Sequence, residues 1–376
     1  MNNTIVNIID REDPLPLYLF IREMYNDGDR VMFVSAKGDA DRIPFFINLM
    51  GLNRELVDSI VMNRISDELS YELICRTVIG RLDSKQHYLV NLAGGSRYMT
   101  LAVQRSFARF NADFYYTKTR ENVIVNTIYD DSIYDNDDVV IPIKHRMTVG
   151  ELLAVNGLSN DANSPSRSPI RSAEYTHSFF KKFISNTLSA ADHDTISLLR
   201  LHYRSRRKAM SIKALATTGL SERPRVEHLE ALLSHLHFIP QNPDELTPSE
   251  VDYLTGGWFE EYVYNIINEQ VNPDDISIGV HISRGKTAHN NELDVVYSKN
   301  NQLYVIECKT GVDSNRMFNE IVYKVCALRE VLLGTTSKSY IFSLIRDDDG
   351  RLRQVARLMG VGLYDYNNIV EGVPFS

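Results

Sequence analysis

Along the first third of the chain, short apolar runs alternate with longer stretches whose apolar residues recur at helical spacing. Thr4–Ile9, Arg30–Val34, Val57–Met62 and His87–Leu92 read as strands. Between them, Pro14 and Pro16 open a helix to about Met24, and helices follow at Arg42–Met50 and Asp67–Ile79. Strands that alternate with helices predict βαβ units and a mostly parallel sheet. Beyond Leu92 the pattern gives a helix to about Phe110. Strands follow at Ala112–Thr117, Glu121–Ile128 and Val139–Ile143, the last two separated by an aspartate-rich tip that reads as a solvated turn. Its aspartates lack the spacing and terminal glutamate of a calcium loop.

Thr148–Val155 reads as a helix leading out of this first unit. Leu158–Arg171, rich in Ser, Asn and Pro, is the most loop-like stretch and predicts a linker. Glu174 to about Phe238 is mainly helical in pattern, and Asn242–Pro248 punctuates the chain before a helix capped by Thr247 or Ser249. In the last third, Asn291–Val296 and Leu303–Thr310 read as two strands with a polar turn over Tyr297–Gln302. A helix at Asn315–Leu333, a strand at Ser339–Ile345, an Asp-Gly turn, a helix at Arg351–Met359 and a short strand at Gly362–Tyr366 complete the pattern.

Composition narrows the class. At 376 residues, 43% hydrophobic and 24% charged, the chain is long enough for two or three folded domains. No apolar run is long enough to span a bilayer, and the N-terminus lacks a secretory signal pattern. The three cysteines, Cys75, Cys308 and Cys326, have neither zinc-site nor disulfide spacing, so a reducing cytoplasm is the expected home. A net charge of −8 argues against coating nucleic acid through bulk charge, although local basic groups can still serve. The densest basic cluster, Arg200, Arg204, Arg206, Arg207, Lys208 and Lys213, spreads around a helix, and reads equally as a nucleic-acid contact or a solvated face.

Two stretches carry chemistry. On strands, Glu307 and Lys309 point one way and Cys308 the other, and pairing with the preceding strand brings Asp294 to the same face. Two carboxylates beside a lysine suit a hard divalent cation, or else an ion-paired hairpin on a wet face. In Asn91–Thr100, a strand runs into Gly94-Gly95-Ser96-Arg97 and then a helix. Glycines allow close approach of a ligand, the helix N-terminus suits a phosphate, and Ser96 and Arg97 add a hydroxyl and a planar cation. A glycine-rich turn with Ser96 as helix cap reads equally well. In a parallel sheet this loop, Asp10 and Ser35 all fall beyond the carboxyl ends of strands, where ligands bind.

The Asp294…Glu307-x-Lys309 set resembles the active site of the PD-(D/E)xK nuclease superfamily. That resemblance implies Mg²⁺ or Mn²⁺ held by Asp294, Glu307, the Cys308 carbonyl and a helical glutamate, with Lys309 serving the attacking water. Gly256-Gly257-Trp258-Phe259-Glu260-Glu261 fits the helical part; the two glutamates face about 100° apart, and the resemblance favours Glu260. Asn91-Leu92-Ala93-Gly94-Gly95-Ser96-Arg97-Tyr98-Met99 resembles the ligand loop of CARF domains, Rossmann-like sensors of cyclic oligoadenylates. Ala93 and Ser96 stand where threonines are common, and Arg97 where lysine is common.

Together the motifs resemble the Card/Can-type effector nucleases of type III CRISPR systems. The implied architecture is α/β, with a Rossmann-like CARF sensor over residues 1–147, a mainly helical linker region over 148–246, and a restriction-endonuclease-like PD-(D/E)xK domain over 247–376. The implied activity is metal-dependent cleavage of single-stranded RNA or DNA, or nicking of duplex DNA, by a homodimer activated by cyclic tetra-adenylate. A ligand-responsive nucleic-acid-binding regulator with an inactive nuclease core, and a ligand-independent restriction or repair nuclease, are the alternative readings.

Overall fold

The structure, a computed structural model, describes residues 2–372 apart from 63–69, 128–139, 161–167, 186–187, 204–209, 212–225, 285–286, 312–314 and 330–336. The aspartate-rich tip and the basic cluster beyond Arg200 lie outside the described residues.

The first sheet is built as the alternation predicts. Strands β1 (Thr4–Ile8), β2 (Arg30–Ser35), β3 (Val57–Val61), β4 (Tyr88–Asn91) and β5 (Ala112–Lys118) run parallel, and β6 (Val123–Asn126) and β7 (Val140–Pro142) add antiparallel edges. Their order is β3-β2-β1-β4-β5-β6-β7, so the winding reverses between β1 and β4. Every residue of β1 is buried, as expected for a strand covered on both faces. Helices α1 (Leu15–Met24) and α2 (Arg42–Met50) cover one face, and α3 (Tyr71–Ile79) and α4 (Arg97–Phe107) the other.

Helix α5 (Val149–Val155), closed by a Thr148–Glu151 capping box, does not lead away from this core. Val149, Leu152, Leu153 and Val155 are buried in it. The predicted linker also starts later than expected, because Ser159–Asn160 forms β8, an edge strand of the second sheet. Helices α6 (Ala173–Ile184), α7 (Ala190–Tyr203) and α8 (Val226–His235) follow, and a small ribbon pairs β9 (Met210–Ser211) with β10 (Glu245–Leu246). Thr247, one of the two predicted caps, closes α9 (Pro248–Asp252), and α10 (Trp258–Val271) comes next.

The second sheet has the order β15-β14-β13-β12-β11-β8. It contains β11 (Asp275–Arg284), β12 (Thr287–Lys299), β13 (Gln302–Lys309), β14 (Lys338–Ser343) and β15 (Val361–Tyr364), with α11 (Asn315–Leu328), α12 (Arg351–Leu358) and α13 (Tyr366–Val370). Strands β13, β14 and β15 are parallel and the rest antiparallel. The sequence pattern predicted neither β11 nor α13. The hairpin is tighter than predicted. Tyr297 and Ser298 are buried strand residues, and the turn is Asn300-Asn301 alone, both at positive φ (50° and 60°). Asparagine tolerates that conformation, and two such residues twist with the flanking strands.

One apolar cluster joins the two sheets. Ile5, Leu17, Phe20, Phe33 and the apolar face of α5 pack with Val280, Ile282, Leu293, Val296, Leu303 and Val305. At its rim the turn residue Asn301, 0% exposed, accepts from the Met147 N–H at 2.9 Å and donates to the His145 carbonyl at 2.9 Å and to Asn122 Oδ1 at 2.6 Å. Nearby, Asp275 Oδ2 accepts from the Val149 N–H at 2.8 Å. No helix among the described residues is long and apolar enough to cross a membrane.

Asn301→Ala is expected to destabilise the chain by about 1–3 kcal/mol, the cost of leaving buried polar groups unpaired. Asn301→Gly keeps the turn conformation yet loses the same bonds, so most of the cost should remain. Urea unfolding monitored by tryptophan fluorescence measures both; a fully stable glycine variant would show that the turn, not the bonds, carries the effect.

Candidate active site and ligand pocket

The first site lies at the reversal between β1 and β4. Beyond β4, Asn91 ties the loop to the sheet. Its amide donates to Asn7 Oδ1 at 2.9 Å and to the Pro16 carbonyl at 3.3 Å. Its Oδ1 accepts from the Ala93 N–H at 3.1 Å and from Thr117 Oγ1 at 3.2 Å. Gly94 and Gly95 are required here by β1. A Cβ on Gly94 would lie 2.6 Å from the Ile8 carbonyl oxygen, and one on Gly95, whose φ is +66°, 2.4 Å from Ile8 Cγ2. Thr100 Oγ1 donates back to the Gly94 carbonyl at 2.8 Å.

This loop forms one wall of a cavity of about 730 Å³ that is also lined by Asp10, Asp13, Arg97, Thr117, Lys118 and Arg120. Burial and the neighbouring Asp10 push the Asp13 carboxyl up, and Arg97, Lys118 and Arg120 line the cavity together with the acids Asp10, Asp13 and Glu121. Two expected contacts are not made. Ser96 Oγ accepts from the Met99 N–H as the cap of α4 and does not line the cavity. Ser35, fully buried at the end of β2, donates to the Ala36 carbonyl and lies away from it, because the winding reverses at β1 and β4 and not at β2. Lys118 and Arg120 were missed; their signal is a polar tip, Lys118–Glu121, at the carboxyl end of a strand beside the reversal.

The second site sits where β12 and β13 meet α10. The Asn300-Asn301 turn pairs Lys299 with Gln302 and Val295 with Ile306, and the next step of that register sets Asp294 opposite Glu307. Asp294 Oδ2 accepts from the Cys308 N–H at 2.7 Å. Lys309 Nζ lies 2.7 Å from Glu307 Oε1 and 3.5 Å from Asp294 Oδ2, and it donates to the Cys308 carbonyl at 3.1 Å. Lys324, from α11, is a second cation on Glu307 at 2.9 Å. Asp294, Glu307, Lys309 and Glu260 line one cleft of about 560 Å³, together with Arg200 and Glu292. Lys324, Glu292 and Arg200 were not assigned to this site from sequence.

Electrostatics bind the group together. Burial, then the charges of Glu307 and Glu260, push Asp294 up to about 7, against the pull of Lys309. Burial would also raise Glu307, but Lys309 and Lys324 outweigh it and hold that carboxyl low. Burial would lower Lys309, yet Asp294 and Glu307 keep its ammonium above the ordinary lysine value. Burial and Asp294 push the Cys308 thiol well up, so it stays protonated.

Helix α10 settles the choice between its two glutamates. Gly256, at φ +156°, turns the chain sharply before the helix, and the buried Trp258 packs its ring 4.6 Å from Phe183 and 5.2 Å from Phe179. With Trp258 anchored, Glu260 reaches the cleft. Glu261 turns the other way, is 0% exposed, and accepts from the Ile170 and Arg171 N–H groups at 2.9 and 3.3 Å.

Family models match both halves of the chain: the Card1 CARF domain over residues 4–151 and the Card1-like endonuclease domain over residues 248–371. The chain belongs to the Card1-like family. Three solved structures share the fold. A protein from Vibrio cholerae is 17% identical with a TM-score of 0.74, over 98% of this chain and 95% of the other. Can2 from Sulfobacillus thermosulfidooxidans, solved in complex with cyclic tetra-adenylate, is 19% identical with a TM-score of 0.70, over 99% and 98%. A type III CRISPR defence DNA nuclease activated by cyclic oligoadenylate is 14% identical with a TM-score of 0.55, over 99% of this chain and 51% of the other. No curated protein matches the chain in sequence.

In this Card1-like chain, no three His, Cys, Asp or Glu groups among the described residues converge as they stand on one ligation point. The donor chemistry nevertheless suits a hard divalent cation. Asp294, Glu307 and Glu260 face one cleft, and the latter two drive up the proton affinity of Asp294, a repulsion that a cation relieves.

Glu260→Ala is expected to leave stability within about 0.5 kcal/mol, whereas Glu261→Ala should cost about 2–4 kcal/mol by stranding two buried N–H groups. Chemical unfolding of the two variants checks this, and equal losses would refute the division of roles. In chelator, Asp294→Asn should stabilise the protein at pH 7 by up to about 4 kcal/mol. The folded carboxyl titrates near 7 and the unfolded one near its ordinary value of about 4, so wild-type stability falls as pH rises through that window. The variant's advantage should therefore shrink from pH 7 to pH 4; an advantage that widens on acidification contradicts this account.

Proposed function

We propose that the protein is a metal-dependent endonuclease that hydrolyses phosphodiester bonds of single-stranded nucleic acid and is switched on by a cyclic oligoadenylate. The observation that carries this reading is the direct connection between the two sites. Thr119 and Arg120, at the tip between β5 and β6, border both the ligand cavity and a smaller cavity lined by Asn301, Gln302 and Lys338. Gln302 Nε2 donates to the Arg120 carbonyl at 3.5 Å. From Gln302, β13 runs straight to Glu307 and Lys309.

In the cleft, Asp294, Glu307 and Glu260 are the residues to hold Mg²⁺ or Mn²⁺, with the Cys308 carbonyl beside them. Such a cation supplies positive charge for the phosphate and acidity for a nearby water. Lys309 stays protonated at neutral pH and donates through Nζ, which orients the water for attack on phosphorus and steadies charge on the phosphate oxygens. The water oxygen forms the new P–O bond as the ester P–O bond breaks. Lys324 donates to the same Glu307 Oε1 that Lys309 contacts and helps to fix that carboxylate.

At the other site, Arg97, Lys118 and Arg120 supply the cations for ligand phosphates. Leu101 and Tyr116 are large apolar residues exposed on the cavity wall, and Leu73 on α3 and Tyr98 on α4 are exposed as well. That surface suits a second copy of the chain, and a two-fold cyclic tetra-adenylate matches the symmetry of such a homodimer. Activation then requires the ligand to bind the active arrangement more tightly than the resting one. The setting consistent with this chemistry is the cytoplasm, in type III CRISPR antiviral defence.

A cleavage assay on RNA, single-stranded DNA and plasmid, with Mn²⁺ or Mg²⁺ and with or without cyclic tetra-adenylate, tests the proposal. Glu307→Gln is expected to lower cleavage at least a hundredfold while ligand affinity changes less than threefold. Arg97→Ala should raise the ligand concentration for half activation about tenfold, equivalent to about 1.4 kcal/mol. Full cleavage without ligand would overturn the switch, and unchanged activation of the Arg97 variant would remove that phosphate contact.

A further inference from the structure

Lys324 stands outside the Asp294…Glu307-x-Lys309 set, yet it shares an oxygen with it. Helix α11 buries Phe318, Ile321, Val322 and Val325 in a cluster with Ile341 and Leu352. That packing carries Lys324 to the wall of the catalytic cleft. Its Nζ lies 2.9 Å from Glu307 Oε1, and Lys309 Nζ lies 2.7 Å from the same oxygen. A carboxylate oxygen offers about two lone-pair sites, so two ammonium groups saturate Oε1.

This oxygen is the one a shared cation would need. Lys309 Nζ also lies 3.5 Å from Asp294 Oδ2, so Glu307 Oε1 and Asp294 Oδ2 face the same ammonium. A hard divalent cation held between the two carboxylates draws on a lone pair of each. Its charge also repels both ammonium groups at short range. One lysine has to give way, and the two are not equally placed. Lys309 donates to the Cys308 carbonyl at 3.1 Å besides contacting both acids, and its side chain is 29% exposed. Lys324 reaches Glu307 from the helix on a flexible stem, with its side chain 47% exposed. Withdrawal into water therefore costs Lys324 less.

We propose that Lys324 is a displaceable counter-ion of the metal site. It occupies Glu307 in the metal-free protein, withdraws when a divalent cation binds, and so sets the cation concentration at which the cleft fills. The inference rests on the metal-dependent reading above. Before a cation arrives, the second ammonium offsets the charge of a carboxylate whose side chain is only 4% exposed. Afterwards that role passes to the cation, and Lys324 returns to solvent.

The test measures Mn²⁺ binding by titration calorimetry for the wild type, Lys324→Ala and Lys324→Gln, without nucleic acid or cyclic oligoadenylate. Thermal unfolding of the same proteins is measured in chelator. Removal of a competing cation predicts two opposite changes. Mn²⁺ should bind Lys324→Ala about tenfold more tightly than the wild type, while the chelated variant should melt at a lower temperature. Lys324→Gln, which keeps a donor without the charge, should also bind Mn²⁺ more tightly. Adding Asp294→Asn to Lys324→Ala should remove the gain, which ties it to this cleft. Unchanged or weaker Mn²⁺ binding by both single variants would make Lys324 a mere support for Glu307 and overturn the inference, with the metal reading intact. Absence of Mn²⁺ binding by the wild type and both single variants would overturn the metal-dependent reading itself, and the inference with it.

Discussion

The Asn300-Asn301 turn is the constraint on which the rest depends. Because side chains alternate along a strand, a slip of one residue would send Asp294 to the opposite face from Glu307 and Lys309. Two left-handed asparagines fix the pairing of Lys299 with Gln302, and the catalytic-type register follows from it. The same Asn301 is buried against His145, Met147 and Asn122, so the turn that sets the register also fastens the second sheet to the first. One short turn therefore governs both the internal geometry of the cleft and its attachment to the sensor.

Much of this was legible in the sequence because local periodicity decided it. The parallel first sheet followed from alternating elements, and the Asp294…Glu307-x-Lys309 set followed from strand alternation across a hairpin. Strand β11 was missed although Ile276, Ile278, Val280 and Ile282 carry a clear period-two signal. Ser35 was misplaced for a different reason. Every parallel strand ends at the same rim, and only the strand order shows that the opening lies between β1 and β4. Glu260 and Glu261 present a third kind of case. Helical geometry separates them by angle, but the packing of Trp258 against Phe179 and Phe183 decides which one meets solvent. Gly94 and Gly95 have a further reason to be glycines, since the backbone and side chain of Ile8 exclude a Cβ there, whether or not a ligand approaches.

The cleft shows why function and stability pull apart in this chain. Burial, and then crowding by Glu307 and Glu260, raises the proton affinity of the Asp294 carboxyl. Lys309 and Lys324, both on Glu307 Oε1, offset part of the repulsion. The carboxylates are thus kept close enough to act together, yet never fully neutralised.

The apolar cluster between the two sheets has a thermodynamic consequence. Leu17, Phe20 and Phe33 on one side and Val280, Leu293 and Val305 on the other bury each other, so each half loses part of its interior when the other melts, while clusters of its own remain on its other faces. The stabilities of the two halves are therefore coupled despite their distinct origins in the chain. Free energy gained by a molecule that occupies the first cavity is then shared in part across that contact, and the nuclease half becomes harder to unfold although nothing has touched it. A messenger that binds the sensor would also act as a chaperone for the blade.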